Sequence, residues 1–166
     1  MRSPVLRMCF LAAGSLLAFS LNSHATVAIG GGGSGGLDCS HAAASEPVIW
    51  PPNHSMVAES IVGITNPYQS PLSVTITGIE QDEPVEVHGS GNTEPDGSGV
   101  GTPMAYVRAE RAGGGTGRLY FISFQASVTS DVQCSGKVEV YVPHDLGQGF
   151  VPTDTGQRYD STRVDE

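Results

Sequence analysis

Basic side chains are scarce in this sequence of 166 residues. It holds 8 Lys and Arg against 17 Asp and Glu, which gives a formal net charge of −9 at pH 7. Nucleic-acid binding relies on clustered Lys and Arg that displace counterions from phosphates, and the sequence has no such cluster. The composition therefore excludes nucleic acid as a partner. An acidic surface favours solubility and leaves room for divalent cations or basic partners.

Helical periodicity is also missing, because no segment of ten or more residues repeats its apolar side chains every three or four positions. Apolar residues instead alternate with polar ones, as they do in half-buried strands. The alternation is clearest over 120–128 and returns over 138–142, and the turn-like residues 129–131 between them predict a hairpin. Further strands are expected at 46–50, 56–64, 72–77 and 104–110. The pattern predicts an all-β sandwich of about seven strands.

A single long apolar run occupies residues 8–21, and Arg2 and Arg7 stand before it. Small residues follow the run and end at Ala25, as at a signal-peptidase cleavage site. We therefore expect residues 1–25 to be a cleaved signal peptide. No later segment approaches the roughly 20 apolar residues that a membrane span needs. The expected protein is secreted or periplasmic, with no membrane span after signal cleavage.

Cysteine is rare, with three residues in the whole chain. Cys9 lies inside the predicted signal peptide, so Cys39 and Cys134 remain, and two cysteines in an oxidising compartment usually pair. Chain entropy predicts about 4 to 5 kcal/mol of stabilisation for a loop of this length, as an upper value. The expected disulfide joins the N-terminal edge of the domain to its last strand.

Composition divides the exported chain into three parts. Residues 26–37 are rich in Gly and predict a flexible linker. Residues 38–146 hold the alternating strands and form the expected domain. Residues 147–166 are polar and acidic, a composition that predicts a disordered tail without a core of its own.

Four strings in the domain resemble one known family. They are WPPNH at 50–54, QDEPV at 81–85, VRAERAGGGTGRLYFISFQA at 107–126 and CSGKVEVYVPHD at 134–145. In this order they resemble a bacterial extracellular module related to HYR and other immunoglobulin-like domains. The resemblance covers nearly the whole domain. It implies an immunoglobulin-like β-sandwich that serves structure or interaction in cell-surface and secreted proteins, and it implies no reaction.

The QDEPV string and the loop after it hold the densest set of oxygen ligands in the chain. Calcium prefers six to eight oxygen ligands, several of them carboxylates. The candidate ligands are Asp82, Glu83, Asn92, Glu94 and Asp96. Ser90 and Asn92 stand where members of the resembled family carry acids, which weakens the calcium interpretation. The alternative is a set of solvated turn residues.

A second cluster is expected where the first and last strands of the sandwich end. If these strands pair in parallel, as they can in immunoglobulin-like sandwiches, their ends lie at one pole. The expected cluster is Trp50, Asn53, His54, His144 and Asp145. Imidazole suits Zn²⁺ or Cu²⁺, but a structural zinc site needs four ligands, so a hydrogen-bonded clasp is favoured. Trp50 is expected to plug the end of the core, and the alternative is an exposed platform on which a sugar stacks.

Charged residues near the end of one predicted strand form a third candidate. Arg108 and Glu110 lie two positions apart and share a face of a strand, and Arg111 follows them. Cross-strand ion pairs on a solvated face are worth at most about 1 kcal/mol each. We expect surface ion pairs here, and the alternative is a charged contact surface.

Catalytic patterns are absent from the sequence. A serine nucleophile of the GxSxG type needs a strand-turn-helix context, and no helix is predicted. A disulfide between the two remaining cysteines leaves no catalytic thiol. We therefore predict a secreted, non-catalytic immunoglobulin-like module for binding, adhesion or structural spacing at the bacterial cell surface, with an unknown protein or polysaccharide partner. The alternatives are a calcium-stabilised extracellular domain and, less favoured, a small secreted enzyme inhibitor or hydrolase.

Overall fold

The computed structural model describes residues 36–86, 89–91, 93–147 and 153–164. In these ranges the chain has nine β-strands and no helix, arranged in three antiparallel sheets. The strands are β1 (Ala43–Ala44), β2 (Met56–Glu59), β3 (Ile61–Val62), β4 (Ser73–Gln81), β5 (Gly97–Ser98), β6 (Ala105–Arg108), β7 (Gly117–Thr129), β8 (Val132–Pro143) and β9 (Tyr159–Asp160). The all-β class is confirmed.

The described strands outnumber the seven expected because several are very short. Four of them, β1, β3, β5 and β9, have two residues each. The expected strand at 46–50 is reduced to a single bridge at Val48, and the expected strand at 56–64 is divided into β2 and β3. The immunoglobulin-like topology stays a prediction.

The predicted hairpin is confirmed and forms half of the largest sheet. Strands β7 and β8 pair antiparallel, and the sheet has the order β8-β7-β4-β9. Alternation over β7 turns Tyr120, Ile122 and Phe124 into the core, where they are buried. Gly136 faces Phe124 across the pair, and a Cβ at Gly136 would lie 3.0 Å from the phenyl ring. The absence of a side chain there lets the aromatic ring pack against the neighbouring strand.

A smaller sheet of order β2-β6-β5 shares the same core. Its inward residues Ala105 and Val107 belong to one apolar cluster with Ile76 and Ile79 of β4. Apolar side chains of two sheets in one cluster are what a β-sandwich requires. The outward residues of β2, β5 and β6 therefore lie on the side of this sheet that faces away from the core.

The disulfide between Cys39 and Cys134 is confirmed, with the two Cα atoms 5.9 Å apart. Cys134 lies in β8, so the bond joins the N-terminal edge of the domain to its last long strand, as expected. The expected parallel contact between the opening segment and that strand is also present. The Ile49 amide donates to the Tyr141 carbonyl at 2.8 Å, and the Tyr141 amide donates to the Pro47 carbonyl at 2.9 Å.

The C-terminal residues differ from the disordered tail expected over 147–166. Residues 153–164 lie along the domain, and Tyr159 and Asp160 pair with Gln81 and Glu80 of β4. Main-chain hydrogen bonds explain the difference, because a strand edge binds a polar segment without needing its side chains to be apolar. Residues 148–152 lie outside the described residues.

The N-terminal predictions fall largely outside the described residues. The signal peptide at 1–25 and the linker up to residue 35 are among them. Leu37, placed at the end of the linker by sequence, is half-buried and packs against the apolar core. Within the described ranges no helix is long and apolar enough to cross a bilayer.

Glu59 at the end of β2 is a fully buried carboxyl group. Its Oε2 accepts hydrogen bonds from the Ser45 hydroxyl at 3.0 Å and the Glu46 amide at 2.9 Å. Burial nevertheless raises the pKa of Glu59 above its ordinary value of 4.5, and the two hydrogen bonds only partly oppose this. The folded protein therefore binds this proton more readily than the unfolded chain does.

The raised pKa of Glu59 predicts how stability changes with pH. Its stabilising contribution is fully present below the ordinary pKa and is lost as pH rises through the folded pKa. Glu59→Gln cannot ionise, so its free energy of unfolding relative to wild type should increase between about pH 4 and about pH 8. Urea unfolding across this range measures the difference, and a difference independent of pH would contradict the prediction.

Candidate functional site

Arg118 is a charged residue with no solvent exposure, and it lies at the centre of a buried ionic cluster. Its Nη1 donates to Asp96 Oδ2 at 2.6 Å and to the Tyr120 hydroxyl at 3.2 Å. Its Nε donates to Glu83 Oε2 at 3.1 Å. We call Arg118, Asp96, Glu83 and Tyr120 the arginine cluster. One guanidinium thus joins two carboxylates that lie 22 and 35 positions away in the sequence.

Strand ends bring the arginine cluster together. Glu83 follows β4, Asp96 precedes β5, and Arg118 is the second residue of β7. Gly117 has φ of +113°, and a Cβ there would lie 2.6 Å from the Tyr141 hydroxyl, so a side chain is excluded. The absence of a side chain at Gly117 lets the first residue of β7 pair closely with the end of β8. Three strands from the two sheets are therefore fastened at one place.

Hydrogen bonds extend the cluster beyond its charges. The Tyr120 hydroxyl donates to the Arg108 carbonyl at 2.9 Å, and burial raises the pKa of Tyr120, which keeps the phenol protonated. Burial also raises the pKa of Asp96, and the charge of Arg118 opposes that shift. Gln81 donates to Asp96 Oδ2 at 2.9 Å. Both carboxylates of the cluster are paired with Arg118, although Arg118 Nη2, Asp96 Oδ1 and Gln81 Oε1 are buried atoms without a hydrogen-bond partner among the described residues.

Three of the four carboxylates proposed for calcium bind groups within the protein. Asp82 Oδ1 accepts the Leu119 amide at 2.8 Å, while Glu83 and Asp96 bind Arg118. In the described part of the chain, no group of three or more His, Cys, Asp or Glu is placed to hold a metal ion. Asn92 lies outside the described residues. The arrangement does not support the calcium interpretation, because Arg118 supplies the positive charge that calcium would bring.

The expected clasp is divided between two places. His54 Nδ1 lies 2.9 Å from Glu110 Oε2, whereas His144 Nε2 lies 3.2 Å from the Gly113 carbonyl oxygen and its Nδ1 lies 3.4 Å from Asp145 Oδ2. Among the described residues, the two histidines therefore hold different segments and share no hydrogen-bond partner. The parallel contact at Tyr141 brings their strands together, but the chain turns after each strand and sends the imidazoles to separate acceptors.

Two other members of the expected clasp have local roles. Asn53 Oδ1 accepts the amide of Ser55 at 3.0 Å, a turn contact within its own segment. Trp50 is 43 % exposed, so the expectation that it plugs the core is wrong. Ile49 is the buried residue of this segment, because alternation along an extended chain turns only one of two neighbours inward.

The expectation that Arg108, Glu110 and Arg111 form ion pairs on the solvated surface is also wrong. Glu110 has no solvent exposure and accepts hydrogen bonds from His54 and the Thr93 hydroxyl. Arg108 donates to the carbonyls of His54 at 3.0 Å and Pro95 at 2.6 Å, and its Nε lies 3.4 Å from Asp96 Oδ1. Strand β6 ends at Arg108, so strand alternation no longer predicts which way the following residues point.

Arg111, the third residue expected in a surface ion pair, uses carbonyl groups instead. Its Nη2 lies 3.3 Å from the His144 carbonyl oxygen, and its Nη1 lies 3.4 Å from the Ala112 carbonyl oxygen. The side chain is partly buried. Arg111 thus fastens the segment after β6 to the end of β8.

The surface of the β2-β6-β5 sheet that faces away from the core differs from the rest of this acidic chain. Its residues Met56, Ala58, Ser98 and Tyr106, which we call the outer face, are exposed. Tyr106 is 40 % exposed and is paired with Ala58 on one side and Ser98 on the other. Both of these neighbours have small side chains. None of the four residues carries a charge, and Met104, just before β6, extends the apolar surface. Arg108 pairs with Met56 at the edge of this surface, but its side chain is only 14 % exposed and its guanidinium is bound to Asp96 and to main-chain carbonyls.

No family model, no curated protein and no solved structure matches this chain. The resemblance to HYR-type immunoglobulin-like modules stays a prediction based on the sequence strings.

Removal of the buried cation should cost much of the domain's stability. Arg118→Met leaves Glu83 without its cation and Asp96 with only the more distant Arg108, and removal of one partner of a buried ion pair costs about 3 to 5 kcal/mol. The control is Lys137→Met, which breaks the exposed pair of Lys137 with Glu80 and should cost at most about 1 kcal/mol. Urea unfolding measures both, and equal losses would contradict a structural role for the arginine cluster.

Calcium should leave the melting temperature unchanged. A site of micromolar affinity would add about 4 kcal/mol at about 1 mM Ca²⁺ if only the folded state bound the ion. Glu83 and Asp96 are already paired with Arg118, so we expect identical thermal unfolding in EDTA and in calcium. A clear rise in melting temperature on adding calcium would show that the loop rearranges to bind the ion.

Proposed function

We propose that this chain is an exported, non-catalytic immunoglobulin-like module that binds a partner at the bacterial cell surface through its outer face. The disulfide supports the oxidising compartment that this location requires. The all-β architecture and its shared core support a rigid platform. The single observation that carries the proposal is the uncharged, partly apolar outer face on a chain of net charge −9.

Tyr106 is the expected anchor of the interface. Tyrosine and methionine are enriched at the centres of protein interfaces, where one buried aromatic side chain often supplies much of the affinity. Tyr106 stands on a strand that is already paired on both sides, so little backbone conformational freedom is lost on binding. Met56 and Met104 flank it with flexible apolar side chains that adapt to a partner. The contacting surface needs no desolvation of a carboxylate.

The charged residues support a binding role rather than a catalytic one. Arg118, Glu83 and Asp96 compensate one another in the interior, out of reach of a substrate. His54 is held by Glu110 in one orientation, which fixes the segment after the Trp50–Pro52 corner. In this proposal the outer face binds the partner, and the arginine cluster stabilises the domain. Binding, adhesion and spacing at a surface need only these two properties.

Substitution of Tyr106 should weaken attachment to cells. We expect the mature chain, residues 26–166, to sediment with intact cells of the organism that encodes it. Tyr106→Thr keeps a strand-forming residue but removes the ring, and loss of an interface anchor of at least about 2 kcal/mol lowers affinity more than tenfold. Tyr68→Thr is the matched control, because Tyr68 is 42 % exposed but lies outside the β2-β6-β5 sheet.

Two further arms identify the partner and test the proposal. Protease treatment of the cells abolishes binding to a protein partner, whereas periodate treatment abolishes binding to a polysaccharide. Equal effects of Tyr106→Thr and Tyr68→Thr would refute the assignment to the outer face. A folded mature chain that sediments with no cell preparation would refute a surface-binding module altogether.

A further inference from the structure

Residues 153–164, which we call the strap, lie between the edges of two sheets. On one side, Tyr159 and Asp160 pair antiparallel with Gln81 and Glu80 of β4, and the Ser161 amide donates to the Ile79 carbonyl at 3.0 Å. On the other side, the Gly97 amide of β5 donates to the Ser161 carbonyl at 2.7 Å. The strap thus supplies a strand that both sheets use.

The domain has its apolar core without the strap. Neither of the two buried apolar clusters contains a residue of 153–164, and Ser161 is the one fully buried side chain in this segment. A cleft of about 290 Å³ also separates part of the strap from residues 84–86. The strap is therefore bound to the surface of a core that the rest of the chain builds.

The groove that holds the strap has the features of a strand-binding site. Main-chain groups of Ile79 and Gly97 form hydrogen bonds that any extended peptide can make. Selectivity comes from the depth of the groove at Ser161. A Cβ at Gly97 would lie 2.9 Å from the Ser161 Cβ, so the groove accepts a small residue only while position 97 is glycine.

Side chains of the strap add contacts at its first half. The Thr155 hydroxyl donates to the Asp82 carbonyl at 2.9 Å. The Arg158 guanidinium lies 3.8 Å from the centre of the Phe121 ring and binds Asp154 through two nitrogens, at 2.8 Å and 2.7 Å. The cation–π contact and the Asp154–Arg158 pair thus orient the part of the strap that precedes its strand residues.

We propose that the groove between β4 and β5 is a strand-acceptor site and that the strap of a second copy of this chain fills it by reciprocal exchange. Every contact just described is the same whether the strap comes from its own chain or from another. Only the connection through residues 148–152 differs, so chain concentration and the effective concentration set by this connection decide the balance. Exchange links copies without using the outer face, so it is independent of the proposed binding function.

Two complementary variants test whether the strap of one copy binds the groove of another. Gly97→Ala blocks the acceptor groove and leaves the strap intact, whereas Ser161→Trp blocks the strap and leaves the groove intact. We expect each variant alone to be a monomer with an unfastened strap. An equimolar mixture should give a 1:1 heterodimer, measured by native mass spectrometry and light scattering. Two folded variants that remain monomers when mixed would overturn the proposal.

A second experiment keeps the test decisive if either variant fails to fold. Residues 148–152 of the full chain are replaced by a protease site, and the folded protein is cut so that the strap stays bound without a covalent link. A tenfold excess of labelled peptide 153–164 should then replace about 90 % of the strap by mass action. The same peptide with Ser161→Trp is the control and should replace none. Retention of the strap against excess peptide, or unfolding on its release, would overturn the acceptor site.

Discussion

Arg118 places a positive charge where water does not reach, and much of the structure depends on how that charge is compensated. Removing a guanidinium from water costs several kcal/mol, which close carboxylates and hydrogen bonds must offset. Asp96 and Glu83 supply the carboxylates, and each stands at the end of a different strand. The ends of β4, β5 and β7 must therefore meet at one point. Hydrophobic burial favours two packed sheets, and the arginine cluster selects how their ends are aligned.

The same neighbourhood positions the other functional elements. Asp96 precedes β5, whose Ser98 lies on the outer face and whose Gly97 contacts the strap. Gln81 binds Asp96 with its side chain and pairs with Tyr159 through its main chain. A disturbance of the cluster therefore reaches the outer face and the acceptor groove together. Both proposed binding surfaces rest on strands that the buried charges hold in place.

Charge is distributed unevenly in a way that suits an interaction module. The chain is strongly acidic overall, which keeps it soluble and repels other acidic molecules. Contact with a partner is least costly where no carboxylate must lose its water, and the outer face offers such a surface. The strap solves a different problem, because it covers main-chain groups at a sheet edge that would otherwise attract unrelated strands. The groove between β4 and β5 thus protects the strand edges and, in the proposed exchange, links two copies of the chain.

Local pattern alone determined the class of this protein. Alternation identified β4, β7, β8 and the hairpin, because the side of a sheet that a residue faces follows from its position within a strand. Only two cysteines lie outside the predicted signal peptide, and that was enough to predict the pairing of Cys39 with Cys134. The acidic character and the lack of a basic cluster were likewise readable from composition.

Tertiary structure decided the fate of residues at strand ends. In the sequence, Asp96 resembles a solvated turn residue and Glu110 a charge on the solvated face of a strand, and nothing local distinguishes them or Arg118 from exposed charges. Their burial is tolerable only because partners far away in the chain arrive at hydrogen-bonding distance, which the packing of two sheets alone determines. The strap follows the same rule. Its polar composition predicts disorder, but an open strand edge supplies main-chain partners that composition cannot reveal.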